Sequence, residues 1–236
     1  MEYLNNKNFY KSHPFKCSYI ENNIEQRLFI KLEQTKDKNY VFNKLMHNGF
    51  RRNFNHMYLP ICQNCNSCIS SRINVSNFTP SKSQKRNLKK NTGNYFVKSL
   101  MRFNYERYEL FLKYINSRHS QGQMSQISYR EFKDFLFNSP IDTKVFDLIN
   151  HKEKLIGSII LDVLDDGLSA VYSFYDPSFL KQGLGINLIL KSIIEAKNNK
   201  LNYLYLGYWI KSSSKMSYKA KFNNVELYLN GRWQLK

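Results

Sequence analysis

Between Leu155 and Tyr208 the hydrophobic pattern changes period twice, and this constrains the fold more than any other feature of the chain. Leu155 to Val163 is apolar and β-branched, Asp165-Asp-Gly167 is a turn signal, and Leu168 to Tyr175 is a second apolar run, which together predict a β-hairpin. Ile186, Ile189, Leu190, Ile193 and Ile194 then recur at the spacing of one helix face. Leu201 to Tyr208 returns to strand character, so a β-α-β crossover closes the arrangement. The expectation is an α/β fold with a mixed, twisted sheet and flanking helices.

The rest of the chain supplies shorter signals. Arg27-Leu-Phe-Ile-Lys-Leu32 predicts a strand, and Val41 to Asn48 a short helix ended by Gly49. Arg72 to Phe78 alternates as a half-buried strand does. Tyr105 to His119 carries a helical apolar stripe, and Ser128 with Glu131 forms a capping box opening a helix that stops before Pro140. Trp233 and Leu235 mark a last strand. The basic run Ser81-Lys-Ser-Gln-Lys-Arg-Asn-Leu-Lys-Lys90 is a natural seam, which places a smaller cysteine-containing domain at 1–92 and a second domain at 93–236.

Apolar residues make up 42% and aromatics 15%, enough to fold a chain of 236 residues around a substantial core. Lysine and arginine outnumber acids 36 to 18, a net charge of +18 that favours a polyanionic partner. Lysine-rich codon usage is the alternative source of that charge. The first residues lack the basic and apolar regions of a secretory signal, and no window approaches the roughly 18 apolar residues of a spanning helix. The expected location is the cytoplasm, without membrane contact, where four cysteines are reduced or bind metal rather than pair.

Cys62-Gln-Asn-Cys65-Asn-Ser-Cys68 sets thiols at intervals of three, so one tight loop can present several thiolates to one ion or iron–sulfur cluster. Cys17 or His56 is the candidate fourth ligand, and the spacing does not choose between zinc and iron–sulfur. Without a metal the same stretch is a loop of free thiols. Gly183-Leu-Gly185 stands between strand and helix, where glycines let a phosphate approach the free N–H groups of the helix start. It resembles the pyrophosphate loop of the GNAT acetyltransferases. That loop usually has Gln or Arg three residues before its first glycine, whereas Leu180 stands here, which counts against coenzyme A as the donor.

Asp176, between a strand end and Pro177, is placed to act as a general base or to orient an amine, or simply to cap the turn. Tyr172, Tyr175, Tyr205 and Tyr208 can line a pocket, with core packing the default for at least two of them. Lys215, Lys219 and Lys221, with Arg51, Arg52 and Arg72, can bind an acidic group or RNA, or remain solvated charges. His119 ends a helix, where a cation is favoured in any case. There is no Ser-His-Asp spacing, Walker loop or paired-carboxylate motif.

Two sets of motifs resemble aminoacyl-tRNA–protein transferases, the arginyl-tRNA–protein transferase family. Gly49-Phe-Arg-Arg52, the three-cysteine run, Arg72 and Phe78-x-Pro-Ser-x-Ser-Gln-x-Arg86 are similar to the N-terminal half of that family. Arg118-His-x-x-Gly-x-Met124, Asp166-Gly-Leu-Ser-Ala-Val-Tyr172, Phe174-Tyr-Asp-Pro177, Leu184-Gly185, Tyr203 to Ile210 and Lys215-Met-x-Tyr-Lys-Ala-Lys-Phe222 are similar to its C-terminal half. The short length and the cysteine triple resemble the bacterial, leucine-transferring branch rather than the longer eukaryotic one.

The resemblance implies a GNAT-like C-terminal domain that takes its acyl group from leucyl-tRNA and passes it to proteins beginning with Asp or Glu. The new N-terminal leucine then marks them for proteolytic machinery under the N-end rule. The ester is already activated, so no cofactor is required for transfer; zinc or an iron–sulfur cluster at Cys17, Cys62, Cys65 and Cys68 is a separate expectation. The acceptor amine, with a reference pKa of about 7.7–8.0, needs only a mild base. Asp176 takes the base or amine-orienting role, Tyr172, Tyr175 and Tyr208 shape the pocket, and Gly183 and Gly185 meet the tRNA 3′ end. Arg51, Arg52 or Arg72 binds the acceptor carboxylate, Lys215, Tyr218 and Lys219 contact substrate, and Lys82, Lys85, Arg86, Lys89 and Lys90 the tRNA backbone. The alternatives are an arginyl-tRNA donor, a coenzyme A-dependent N-acetyltransferase, and a non-catalytic RNA-binding module.

Overall fold

Hydrogen-bonded caps fix where several helices begin, and the one expected at Ser128 is in place: Ser128 Oγ accepts from Glu131 N (3.3 Å) while Glu131 Oε2 accepts from Ser128 N (2.8 Å). The structure, a computed structural model, describes residues 9–35, 37–99, 104–118 and 126–236. Residues 119–124, the greater part of the Arg118–Met124 motif and the position of His119, lie outside them. Two compact units are formed, one by Met1–Phe78 with Tyr205–Lys236, the other by Thr79–Leu204.

The first unit opens with β1 (Tyr10–Lys11), β2 (Phe15–Lys16), β3 (Ile24–Glu25) and β4 (Arg27–Lys31). Helix α1 (Lys38–His47) follows, capped by Asp37, which accepts from Tyr40 N (3.0 Å), and it buries Phe42, Leu45 and Met46. It ends at Gly49, whose φ of +82° only glycine adopts without strain. Strands β5 (Arg51–Asn53) and β6 (His56–Pro60) complete an antiparallel sheet in the order β1-β4-β6-β5, with Arg27 opposite Pro60 and Arg51 opposite Tyr58. β2 and β3 pair separately. β7 (Ile69–Asn74) starts and ends earlier than the strand expected at Arg72–Phe78, because Phe78 N turns back to the carbonyl of Val75 (3.2 Å).

In the second unit the basic run forms helix α2 (Lys82–Lys90), opened by a Ser81–Gln84 capping box. β8 (Tyr95–Lys98), α3 (Asn104–Arg118), α4 (Tyr129–Phe137), β9 (Thr143–Ile149), β10 (Leu155–Val163) and β11 (Gly167–Tyr175) follow. The four strands pair in sequence order and antiparallel, the hairpin β10–β11 among them. Alternation along β11 sends Tyr172 and Phe174 towards α3 and α4, where Phe111 and Phe132 are fully buried. Helix α5 (Leu184–Asn198) covers the other face: a Cβ on Gly157 would touch Leu188. Arg107 of α3 makes two bonds to Asp147 of β9 (3.0 and 2.6 Å), and Asp147 also accepts from Ser158 (2.8 Å). This wholly buried pair holds α3 against the sheet, and breaking it by removing one partner costs about 3–5 kcal/mol.

β12 (Tyr203–Trp209) follows α5, starting in the second unit and ending in the first. β13 (Val225–Leu229) then pairs antiparallel with β7 and with β14 (Arg232–Leu235), the strand expected around Trp233. Strand, helix and strand therefore follow one another from β11 to β12 as expected, and the chain is an α/β protein.

Candidate active site

In the second unit, the glycine turn is held from below by α2. Gly183 has φ +64°, and a Cβ there would lie 2.8 Å from Asn87 Nδ2. A Cβ on Gly185 would lie 3.0 Å from the Tyr175 ring. The first N–H groups of α5 have no carbonyl within the helix to bond, as at every helix start. Tyr175 is fixed beside the turn, its hydroxyl accepting from Arg118 Nη2 (2.9 Å) and its ring edge-on to Tyr114 (5.0 Å). Leu180, the residue standing where the coenzyme A loop has a polar side chain, is 66% exposed.

Asp176 caps the short turn from Pro177 to Gln182 that leads into Gly183. Its Oδ1 accepts from Ser178 N (2.9 Å), Ser178 Oγ (2.7 Å) and Lys113 Nζ (2.6 Å), and its Oδ2 has Lys154 Nζ at 3.8 Å. Burial opposes its charge, yet the Lys113 and Ser178 bonds outweigh that and hold the carboxyl below the usual carboxylate range. A carboxylate so stabilised is a poor proton acceptor and a good partner for a cation. A cavity of about 460 Å³ opens beside it, lined among others by Glu106, Glu109, Glu153 and Lys113. Tyr172 instead packs between Phe111 (6.1 Å) and Phe135 (5.6 Å) on the α3–α4 face, away from the face that carries α5.

The first unit gathers the other expected residues. The Arg51 guanidinium lies against Gly207, whose absent Cβ would sit 2.8 Å from Arg51 Nε. Tyr208 is buried, donates to the carbonyl of Tyr58 (3.0 Å) and has its acidity suppressed by that burial. Lys219 is buried too, donating to the carbonyl of Tyr208 (2.7 Å), and no carboxylate pairs with it among the described residues. Burial, reinforced by the Arg51 charge, brings the Lys219 pKa down to about 7. Arg52 donates to the carbonyl of Phe54 (2.8 Å). Arg72 is built into a strut, bonded to Glu226 (2.7 Å) and Tyr205 (3.1 Å) and stacked on Trp233 at 4.4 Å. Lys215 is exposed and Tyr218 half-buried.

Cys17, Cys62, Cys65 and Cys68 all lie half-buried in this unit as free thiols. Burial raises the Cys68 thiol to about 12, with further contributions from the charges of Glu25, Cys62, Cys17 and Cys65. Cys68 thus stands within electrostatic reach of the other three thiols. Glu25, buried on β3 and within electrostatic reach of Cys68, bonds Arg27 through Oε1, while its buried Oε2 makes no hydrogen bond. Soft thiols are the donor type for a thiophilic cation or cluster, but among the described residues no three of these sulfurs lie within 4.8 Å of one another.

The fold class is that of FemX: its crystal structure superposes with a TM-score of 0.50 over 89% of this chain and 82% of that one, at 9% identity. Residues 106–229 match the family described as arginine-tRNA-protein transferase, C terminus, and residues 15–86 match its N-terminal counterpart. The chain belongs to the arginine-tRNA-protein transferase family, and is thereby a transferase working between aminoacyl-tRNA and protein. Curated relatives named aspartate/glutamate leucyltransferase include one from Ruegeria pomeroyi, 41% identical over 96% of this chain and 83% of its own. Another, from Saccharophagus degradans, is 38% identical over 98% of this chain and 97% of its own. No helix among the described residues is long and apolar enough to cross a membrane.

Proposed function

We propose that this protein moves leucine from leucyl-tRNA to the α-amine of proteins beginning with Asp or Glu, in the cytoplasm, and so marks them for proteolysis. The observation that carries the reading is likeness along nearly the whole chain to relatives named for that reaction. The exposed Leu180 before the glycine turn supports it against a coenzyme A donor.

The α-amine attacks the aminoacyl ester carbonyl, the amide C–N bond forms, and the ester C–O bond breaks to release the ribose hydroxyl with a proton. Holding amine and ester together supplies much of the acceleration. Gly183 and Gly185 receive the tRNA 3′ end, and the N–H groups at the start of α5 stabilise the developing oxyanion. Asp176 orients the amine rather than deprotonating it, with Tyr175 beside it; the acidic lining of the adjoining cavity suits an ammonium group. Arg51 and Lys219, both in the first unit, are the cations assigned to acidic substrate groups. Cys17, Cys62, Cys65 and Cys68 would hold zinc or an iron–sulfur cluster, which when bound cross-links the Cys62–Cys68 loop and stabilises the fold around it.

The test is transfer to an Asp-peptide from charged leucyl-, arginyl- and phenylalanyl-tRNA in parallel, with coenzyme A derivatives as competitors. Leucine is expected to reach the peptide, with no competition. Arginine transfer alone, or RNA binding without transfer, overturns the reading.

A further inference from the structure

The basic helix α2 and the glycine turn are fastened together by amides. The side of α2 that faces the protein carries Gln84, Asn87, Leu88 and Asn91, while Lys82, Lys85, Arg86 and Lys89 point to solvent. Asn87 Nδ2 donates to the carbonyls of Gln182 (3.1 Å) and Gly183 (3.0 Å), and Asn91 Nδ2 to that of Gln182 (3.0 Å). Lys90 Nζ adds a bond to the carbonyl of Lys181 (2.6 Å). Three successive carbonyls of the turn are thus tied to one helix.

Asn87 has both amide hydrogens committed to carbonyls, so its oxygen must accept, and Asn187 of α5 supplies the donor at 3.0 Å. That chemistry fixes the orientation of Asn187 as well. Its own Oδ1 is left buried with no hydrogen-bond partner, although Asn187 is wholly inaccessible. An unsatisfied buried acceptor destabilises a fold, and its neighbours along α5 (Ile186, Leu188, Ile189 and Leu190) are all aliphatic. Stability alone would favour leucine at 187. What Asn187 provides instead is the bond to Asn87, which ties α5 to α2 beside the turn.

We propose that α2 and the Gly183–Gly185 turn form one RNA-docking surface. The basic face of α2 seats the sugar–phosphate backbone next to the charged 3′ end, and Asn87 with Asn187 fixes the distance from that backbone to the turn. Asn87 and Asn187 are positioning residues, since they act through the turn and not on the reacting atoms. The proposal rests on the reading that the donor is an aminoacyl-tRNA.

Two measurements separate its parts. Binding of uncharged tRNA at graded salt is expected to lose about one unit of slope in log affinity against log salt for each charge removed in Lys82→Ala, Lys85→Ala and Lys89→Ala. Leucyl transfer by Asn187→Leu is expected to show kcat at least tenfold below the parent, with KM for leucyl-tRNA and salt slope close to the parent's and a melting temperature at or above it. Asn87→Ala serves the same comparison should Asn187→Leu fail to fold. A parental kcat in a folded asparagine variant overturns the positioning role, and unchanged salt slopes in the lysine variants overturn the surface. Should the parent transfer nothing from any charged tRNA, the reading of the donor falls, while the binding slopes still decide for or against the surface.

Discussion

Replacing Asp176 by asparagine separates two jobs that one side chain performs. Asparagine caps as well as aspartate does, so the bonds from Ser178 N (2.9 Å) and Oγ (2.7 Å) survive. The charge that holds Lys113 at 2.6 Å does not. A charge-assisted hydrogen bond contributes about 1.5–3 kcal/mol, but the Lys113 side chain is 52% exposed and solvent screening reduces the expected loss to about 1 kcal/mol. Alanine removes the cap as well, adding about 1 kcal/mol. At about 2–4 °C per kcal/mol for a chain of this size, asparagine lowers the melting temperature by about 2–4 °C and alanine by about 4–8 °C. Asp176 ionises more readily folded than unfolded, so its stabilisation is complete above the unfolded pKa of about 3.9 and disappears as pH falls through the folded value. Calorimetry should therefore show parent and Asp176→Asn apart at neutral pH and converging in acid. A gap of the same size in acid would refute the ion pair as its source. The same variant assayed for leucyl transfer should be slow despite being folded; transfer at the parent's rate removes Asp176 from the mechanism.

Lys219 gives a slope of the same sign in a more alkaline window: with a folded pKa of about 7 against about 10.4 unfolded, the unfolded chain binds the extra proton in between, and stability rises with pH across that window. Lys219→Met should abolish the rise in denaturant titrations from about pH 7 to 10, and a parent-like rise in the variant sinks the assignment. Gly183→Ala should cost about 1–2 kcal/mol for its left-handed backbone and displace Asn87, while Gly185→Ala costs less because the Tyr175 ring can shift; urea melts that rank them the other way contradict this. Arg72→Lys should lose about 2–3 kcal/mol with its fork to Glu226 and Tyr205, yet keep discrimination between Asp and neutral N-termini. Lost discrimination in a folded variant would return Arg72 to the acceptor site.

Local chemistry made much of this fold legible. The hairpin at Asp165-Asp-Gly167, the cap at Ser128 and the apolar stripes of α3 and α5 are each written within a few residues, and each appears where expected. The Ser81–Gln84 capping box is equally legible, but the density of lysine around it draws attention to charge and to a seam rather than to helix α2. Strand β9 takes its place by pairing with β8 and β10, whereas Asn230-Gly231, both at positive φ (52° and 78°), joins β13 to β14 as a two-residue hairpin and is a signal legible in the sequence. The candidate site was legible by residue type and not by partner. Arg72 reads as a free cation until Glu226, 154 residues away, is seen bonded to it. Asp176 likewise depends on Lys113, 63 residues earlier, and only that contact distinguishes orienting a cation from accepting a proton.

The order in which the two units can be completed differs from the order in which they begin. Thr79–Leu204 is continuous, so everything it needs has been synthesised once α5 and the start of β12 are made. The cysteine-bearing unit must wait for Tyr205–Lys236, and in particular for β13, the antiparallel partner of β7. On the ribosome the continuous unit can therefore close first, while the unit that holds Cys17, Cys62, Cys65 and Cys68 is completed only when Tyr205–Lys236 has followed.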